Sequence, residues 1–250
     1  MKHLFNAFNM AISMFTVIPL PKYIWEEKSA KYIMRIYPLV GLIIGLIWYG
    51  VGVILNYFEV NIMLSSAILL AVPFLITGFI HLDGFMDVSD ALLSRRPKED
   101  KLRILKDSRV GAFAVISLVL LFIVEFASIF SMLDLGVNLY VLVFIPIISR
   151  TIAGYFIISN NPIGESYYGK LFKDGTGKFD KIILLAIFSL IITSNYFLGN
   201  RYIIMPLIML AIAFLLLRNC LKELGGINGD VAGYILVLSE LSGIITLAII

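Results

Sequence analysis

The chain has 250 residues, 60% of them hydrophobic and only 15% charged, with a mean hydropathy of +0.97. A soluble domain is nearer 25% charged, so this composition excludes an ordinary water-soluble fold and requires lipid as solvent. A net charge of +3 with no basic runs interleaved with aromatics excludes a nucleic-acid binder, and one cysteine, Cys220, excludes an internal disulfide or thiolate metal site.

The chain reads as a single all-α membrane domain over 1–250. Residues 4–20 come first. Asn6, Asn9 and Ser13 interrupt this apolar stretch and no small-residue cleavage site follows, which argues against a signal peptide. With 17 residues and Pro19 and Pro21 at its end, the segment is a short span, a re-entrant half-helix or an interfacial helix. Seven apolar segments long enough to span follow at 37–58, 61–80, 110–133, 139–159, 182–198, 202–218 and 231–250. The connections alternate between long charged loops (21–36, 81–109, 160–181, 219–230) and very short ones. Seventeen of the twenty basic residues lie in or beside the long loops, from Lys22, Lys28, Lys31 and Arg35 in the first to Arg218 and Lys222 flanking the last. The positive-inside rule places those loops in the cytoplasm and the C-terminus outside, giving a multi-pass protein of the cell membrane.

The second long loop opens with His81-Leu82-Asp83-Gly84-Phe85-Met86-Asp87-Val88-Ser89-Asp90. Asp83, Asp87 and Asp90 follow i, i+4, i+7 spacing and share one helix face. Three carboxylates there repel one another unless a hard cation neutralises them, and Mg²⁺ does so through oxygen ligands, often joining one or two carboxylates to substrate phosphates. The plain alternative is a solvated helix end beside basic neighbours, at a high price for no purpose next to a membrane. His81 reads as a base, a ligand or a hydrogen-bonded helix-end histidine. A basic amphipathic helix is expected from near Pro97 to Arg109. At its end, Lys106, Asp107 and Arg109 form a candidate phosphate-binding turn, with Arg109 able to make bidentate contacts.

Arg150, Glu125 and Glu240 fall near mid-span. Charges in lipid are rare and either paired or functional. A pair between Arg150 and one of the glutamates would hold the bundle, and a substrate contact is the other reading of Arg150. In the third long loop Lys170 and Lys173 are solvated residues able to steer an anion. The last long loop carries the glycine-rich run 225–233, in which Asn228 and Asp230 are either a helix cap or further ligands facing the aspartates.

Five motifs in order resemble the cobalamin synthase (adenosylcobinamide-GDP ribazoletransferase) family. They are Phe15–Pro21, Tyr37–Gly45, His81–Asp90, Lys106–Gly111, and Gly225–Gly233 with Glu240 beyond. Phe85-Met86 and Ala91 depart from the usual pattern without removing a ligand. The resemblance implies a Mg²⁺-dependent transferase at the cytoplasmic face of the membrane. It would move the adenosylcobinamide phosphate moiety of adenosylcobinamide-GDP to α-ribazole or its 5′-phosphate and release GMP. Membrane lipid is then the remaining partner, and a homo-oligomer is left open. The expected site is Asp83, Asp87 and Asp90 for the metal, with Asp83, Asp87 or His81 in proton transfer. Lys106, Asp107, Arg109, Arg150, Asn228 and Asp230 are expected to meet substrate. The rival readings are a CDP-alcohol-type phosphotransferase, whose D-G-x-x-A-R signature is absent, and a transporter, which the one-sided charge disfavours.

Overall fold

The computed structural model describes residues 2–20, 25–164 and 167–250, so the readings of Pro21 and Lys22 lie outside it. The described residues form twelve α-helices, and six helices, or seven if one bent pair is a single span, are long and apolar enough to cross a membrane. This is the all-α polytopic bundle expected from composition.

The crossing helices are α3 (Ile33–Tyr57), α7 (Ala112–Asp134), α8 (Val141–Ser159), α10 (Lys178–Leu198), α11 (Ile204–Leu224) and α12 (Gly229–Leu247). The α3 and α8 helices make the most extensive pair in the fold. Gly41 and Gly45 allow this, because a side chain at either would collide with the α8 backbone at Pro146 and Val143. Trp48 plugs the same layer, and its indole N–H donates to the Leu69 carbonyl at 2.8 Å.

One expected segment is not a single straight helix: residues 61–80 are broken near their end. Helix α4 (Ile62–Ile76) is followed after three residues by α5 (Ile80–Leu93), bent 93° from it. Fifteen residues of helix rise only about 22 Å, short of a hydrocarbon core of about 30 Å. The bend is built at Thr77-Gly78-Phe79. Gly78 and Phe79 both take left-handed backbone (φ +58° and +63°), and the Thr77 hydroxyl donates back to the Pro73 carbonyl at 2.9 Å. A hydropathy window registers apolarity but not backbone handedness, so this break is silent in the sequence average.

Helix length bears on the N-terminal segment as well. Helix α1 (Lys2–Phe15) rises about 21 Å, too short to span. Near its start Asn6 donates to Glu26 at 3.2 Å. Just beyond its end the Val17 N–H reaches the Ile76 carbonyl at the bend, at 2.8 Å. Short helices α2 (Glu27–Ala30), α6 (Lys98–Ile104) and α9 (Tyr167–Asp174) cap the same loop-bearing face. An ion pair between Lys101 and Glu223 ties α6 to α11, and Arg35 of α3 pairs with the buried Asp180 of α10 at 2.7 Å.

Candidate functional site

The bend lays α5 across the loop-bearing face, where it packs on α12 and α7. Two glycines set its distance from α12. A Cβ on Gly84 would stand 2.8 Å from the Asp230 Cα, and one on Gly233 would stand 3.0 Å from the His81 carbonyl oxygen. Only glycine permits so close a crossing. It brings the first turn of α12 beside the acidic face of α5, so Asp83, Asp90 and Asp230 all act through space on Asp87. Asn228 caps α12 by accepting from the Val231 N–H at 2.9 Å. Its amide donates to Asp230 Oδ2 at 2.7 Å, fixing that carboxylate's orientation.

Asp83, Asp87 and Asp90 line one cleft of about 20 Å³ together with Arg109 and Gly111. Gly111 has a spatial reason: a side chain there would occupy the place of the Asp90 carboxylate. Asp107 folds back on Arg109. It accepts from the guanidinium at 2.7 and 3.0 Å and from the Arg109 backbone N–H at 3.1 Å. Those bonds, the guanidinium's first, hold the Asp107 carboxyl down at about 2. The Arg109 side chain is 87% exposed, so it is braced yet open on its outer side to an anion.

Among the described residues no three acidic, histidine or cysteine side chains close into a ready-made metal cage. The cleft is instead an open, all-oxygen donor set with room for about one water-sized body. That fits a hard divalent ion which keeps some waters and takes its remaining ligands from a phosphate.

A second cavity of about 200 Å³ adjoins the cleft, and Asp83 lines both. Its floor is aromatic and apolar, from Phe15, Tyr37 and Phe172, and its polar groups are His81, Asp83, Asn228 and Asp230. Every long connection contributes. The chain at Pro162 bridges to Ile227, with the Ile163 N–H donating to the Ile227 carbonyl at 3.0 Å. His81 is buried and its Nε2 lies 2.8 Å from the Tyr37 hydroxyl. Phe15, Tyr37, Tyr168 and Phe172 carry no charge to mark them as wall residues, and the motifs that begin at Phe15 and Tyr37 gave no role to either residue.

Arg150 is not brought to either cavity. It is 1% exposed and locked between Glu240 and Ser149. Ser149 also donates to Glu240 at 2.7 Å. Glu125 is buried nearby and within the field of Glu240. The bundle-holding reading of this pair is the one its geometry matches. Lys106 is exposed and lines neither cavity. Lys173 donates to Asn161, and Lys170 lies in a separate open groove with Lys28 and Lys31.

The fold and site together define a polytopic membrane protein whose acidic cleft, braced arginine and aromatic cavity gather at one face. A family model described as cobalamin-5-phosphate synthase matches residues 7–248, and the chain belongs to that family of enzymes. A relative from Clostridium perfringens (strain SM101 / Type A) is 59% identical over the full length of both chains. One from Clostridium botulinum (strain Alaska E43 / Type E3) is 48% identical over 98% of this chain and 97% of its own. One from Halalkalibacterium halodurans is 32% identical over 93% and 91%. All three are named adenosylcobinamide-GDP ribazoletransferase. No solved structure matches. The resemblance carried by the five sequence motifs is thereby borne out.

Proposed function

We propose that this chain is an adenosylcobinamide-GDP ribazoletransferase, acting at the cytoplasmic face of the plasma membrane. The observation that carries the reading is the junction at Asp83 of a one-ion acidic cleft and an aromatic cavity. One side suits a cation that takes a phosphate as a further ligand and the other an aromatic acceptor. The family and the names of its full-length relatives supply the substrates. The side of the membrane follows from the basic residues crowding the same face as the site.

In this reading the hydroxyl oxygen of α-ribazole, or of its 5′-phosphate, attacks the cobinamide phosphorus. The bond from that phosphorus to the bridging oxygen breaks, and GMP leaves with the electron pair. Asp83, Asp87 and Asp90 would hold a divalent cation such as Mg²⁺, which supplies charge neutralisation on phosphoryl oxygens and leaving group. Arg109, braced by Asp107 and lining the same cleft, would meet the phosphate, and Lys106 adds positive charge outside it. Asp230 lies outside the cation's carboxylates, lines the acceptor cavity and is oriented by Asn228, so it takes the hydroxyl proton.

The test is purified protein in lipid nanodiscs with adenosylcobinamide-GDP, α-ribazole and Mg²⁺, scored for GMP release. Release should require both substrates and stop on chelation. Asp83→Asn should abolish turnover with folding intact. Near-normal turnover by that variant, or release indifferent to chelator, refutes the assignment.

A further inference from the structure

Among the described residues four buried polar atoms have no hydrogen-bond partner: His81 Nδ1, Arg150 Nε, Ser159 Oγ and Asn195 Oδ1. Of these residues only His81 stands on the wall of the 200 Å³ cavity. A buried polar atom left alone is costly, and one on a cavity wall is a place where a ligand can complete the bonding.

The identity of that atom follows from its neighbour. The Tyr37 hydroxyl is buried and, among the described residues, has His81 Nε2, at 2.8 Å, as its one hydrogen-bond partner. If Nε2 carried the proton, the phenolic hydrogen would have no acceptor. The arrangement that wastes nothing has Tyr37 donating to Nε2, which places the imidazole proton on Nδ1. His81, a residue of the cavity wall, then carries a donor, not a base, at its unpartnered nitrogen. Phe15 lies parallel to the imidazole, with ring centroids 6.1 Å apart and planes 14° from one another, and 4.4 Å from Tyr37. The wall is thus aromatic, its Phe15 and His81 rings parallel and Tyr37 tilted about 40° to both, with one in-plane N–H.

We infer that this cavity holds the flat base of the acceptor, and that His81 Nδ1–H donates to the base's free ring nitrogen, with Tyr37 as the positioning residue that fixes the imidazole tautomer. This rests on the proposed transferase activity. A benzimidazole joined to ribose through one nitrogen keeps the other as an in-plane acceptor, which is the complement of this wall. At about 200 Å³ the cavity is below the roughly 300–1,000 Å³ of whole-ligand pockets. It takes a fused two-ring base and excludes a corrinoid. The ribose then extends past Asp83 and Asp230 toward the acidic cleft.

The test compares α-ribazole with the matching indole riboside, which has a ring carbon where the free nitrogen stands, in the GMP-release assay. The wild-type protein should show a KM about tenfold lower for α-ribazole, the scale of one hydrogen bond. His81→Leu should bring the two KM values together by weakening α-ribazole alone, leaving KM for the corrinoid donor unchanged. His81→Asn, which keeps an amide N–H near the same place, should retain much of the preference. Tyr37→Phe should reduce it in part. Nitrogen-15 spectra of the wild-type imidazoles need no variant to fold: with only His3 and His81 in the chain, they should show the His81 proton on Nδ1 and a shift on adding α-ribazole. Equal KM values for both acceptors in active wild-type protein, a proton on Nε2, or a His81→Leu defect confined to kcat overturns the inference while leaving the transferase reading intact. Absence of any GMP release from wild-type protein overturns that reading itself.

Discussion

The close crossing of α5 and α12 predicts a sharp result for Gly84→Ala. The added Cβ would lie 2.8 Å from the Asp230 Cα and 2.9 Å from its carbonyl oxygen. Carbon atoms settle at about 3.5–4.0 Å, so the helices must part by roughly 0.7–1.2 Å, because the obstacle is backbone and cannot rotate away. Overpacking costs about 1–3 kcal/mol, and the gain of alanine over glycine in a helix returns about 0.5–1 kcal/mol. Net stability therefore falls by no more than about 2.5 kcal/mol. Activity falls further, since a displacement of about 1 Å between reacting groups costs roughly a hundredfold in rate, and here it separates Asp83 and Asp87 from Asp230. Turnover is read by GMP release. Stability is read by heating with a thiol-reactive dye, because Cys220 is the one cysteine and is buried. Gly50, in α3 with nothing within 4 Å of a Cβ, is the control. Gly50→Ala should be nearly silent in both assays. If Gly84→Ala turns over at the wild-type rate, or Gly50→Ala is equally damaging, the crossing does not set the site.

The buried Arg150–Glu240 pair should behave as structure. Glu240→Leu strands the arginine and should cost about 3–5 kcal/mol in the dye assay, whereas the double variant with Arg150→Met should recover most of the loss; a double variant as unstable as the single one contradicts the pairing. Asp107→Asn should loosen Arg109 and raise KM for the nucleotide-bearing substrate about tenfold without changing the shape of the rate–pH curve. The sign follows from Asp107's depressed carboxyl, at about 2: its pairing is complete above its unfolded pKa and is lost only as pH falls through about 2, so no limb arises between about pH 5 and 8. A limb in that range that disappears in Asp107→Asn would show that Asp107 titrates during the assay.

Much of the fold was legible because lipid imposes simple rules. A helix must be about 20 apolar residues long to cross, and six crossing helices fall where hydropathy puts them. What escaped was backbone geometry inside apolar runs. The φ of +63° at Phe79 belongs to a residue with no intrinsic taste for left-handed backbone. It is held there by its surroundings, including the docking of Val17 against Gly78. No local composition encodes such a bend.

The site was legible in its charges and not in its walls. Asp83, Asp87 and Asp90 announce themselves because three acids on one helix face need an explanation, and the period of the helix alone puts them together. Asp230 lies 140 residues beyond Asp90 in sequence, and only two glycines that admit a close backbone crossing bring it to the same place. The aromatic cavity is harder still to foresee. In a chain of which 60% is hydrophobic, Phe15, Tyr37 and Phe172 look like any residues facing a core or lipid. What sets this wall apart from packing, and carries the proposed binding role, is a polar atom among them without a partner. That atom, Nδ1 of His81, is visible only once Tyr37 is seen to occupy the other nitrogen.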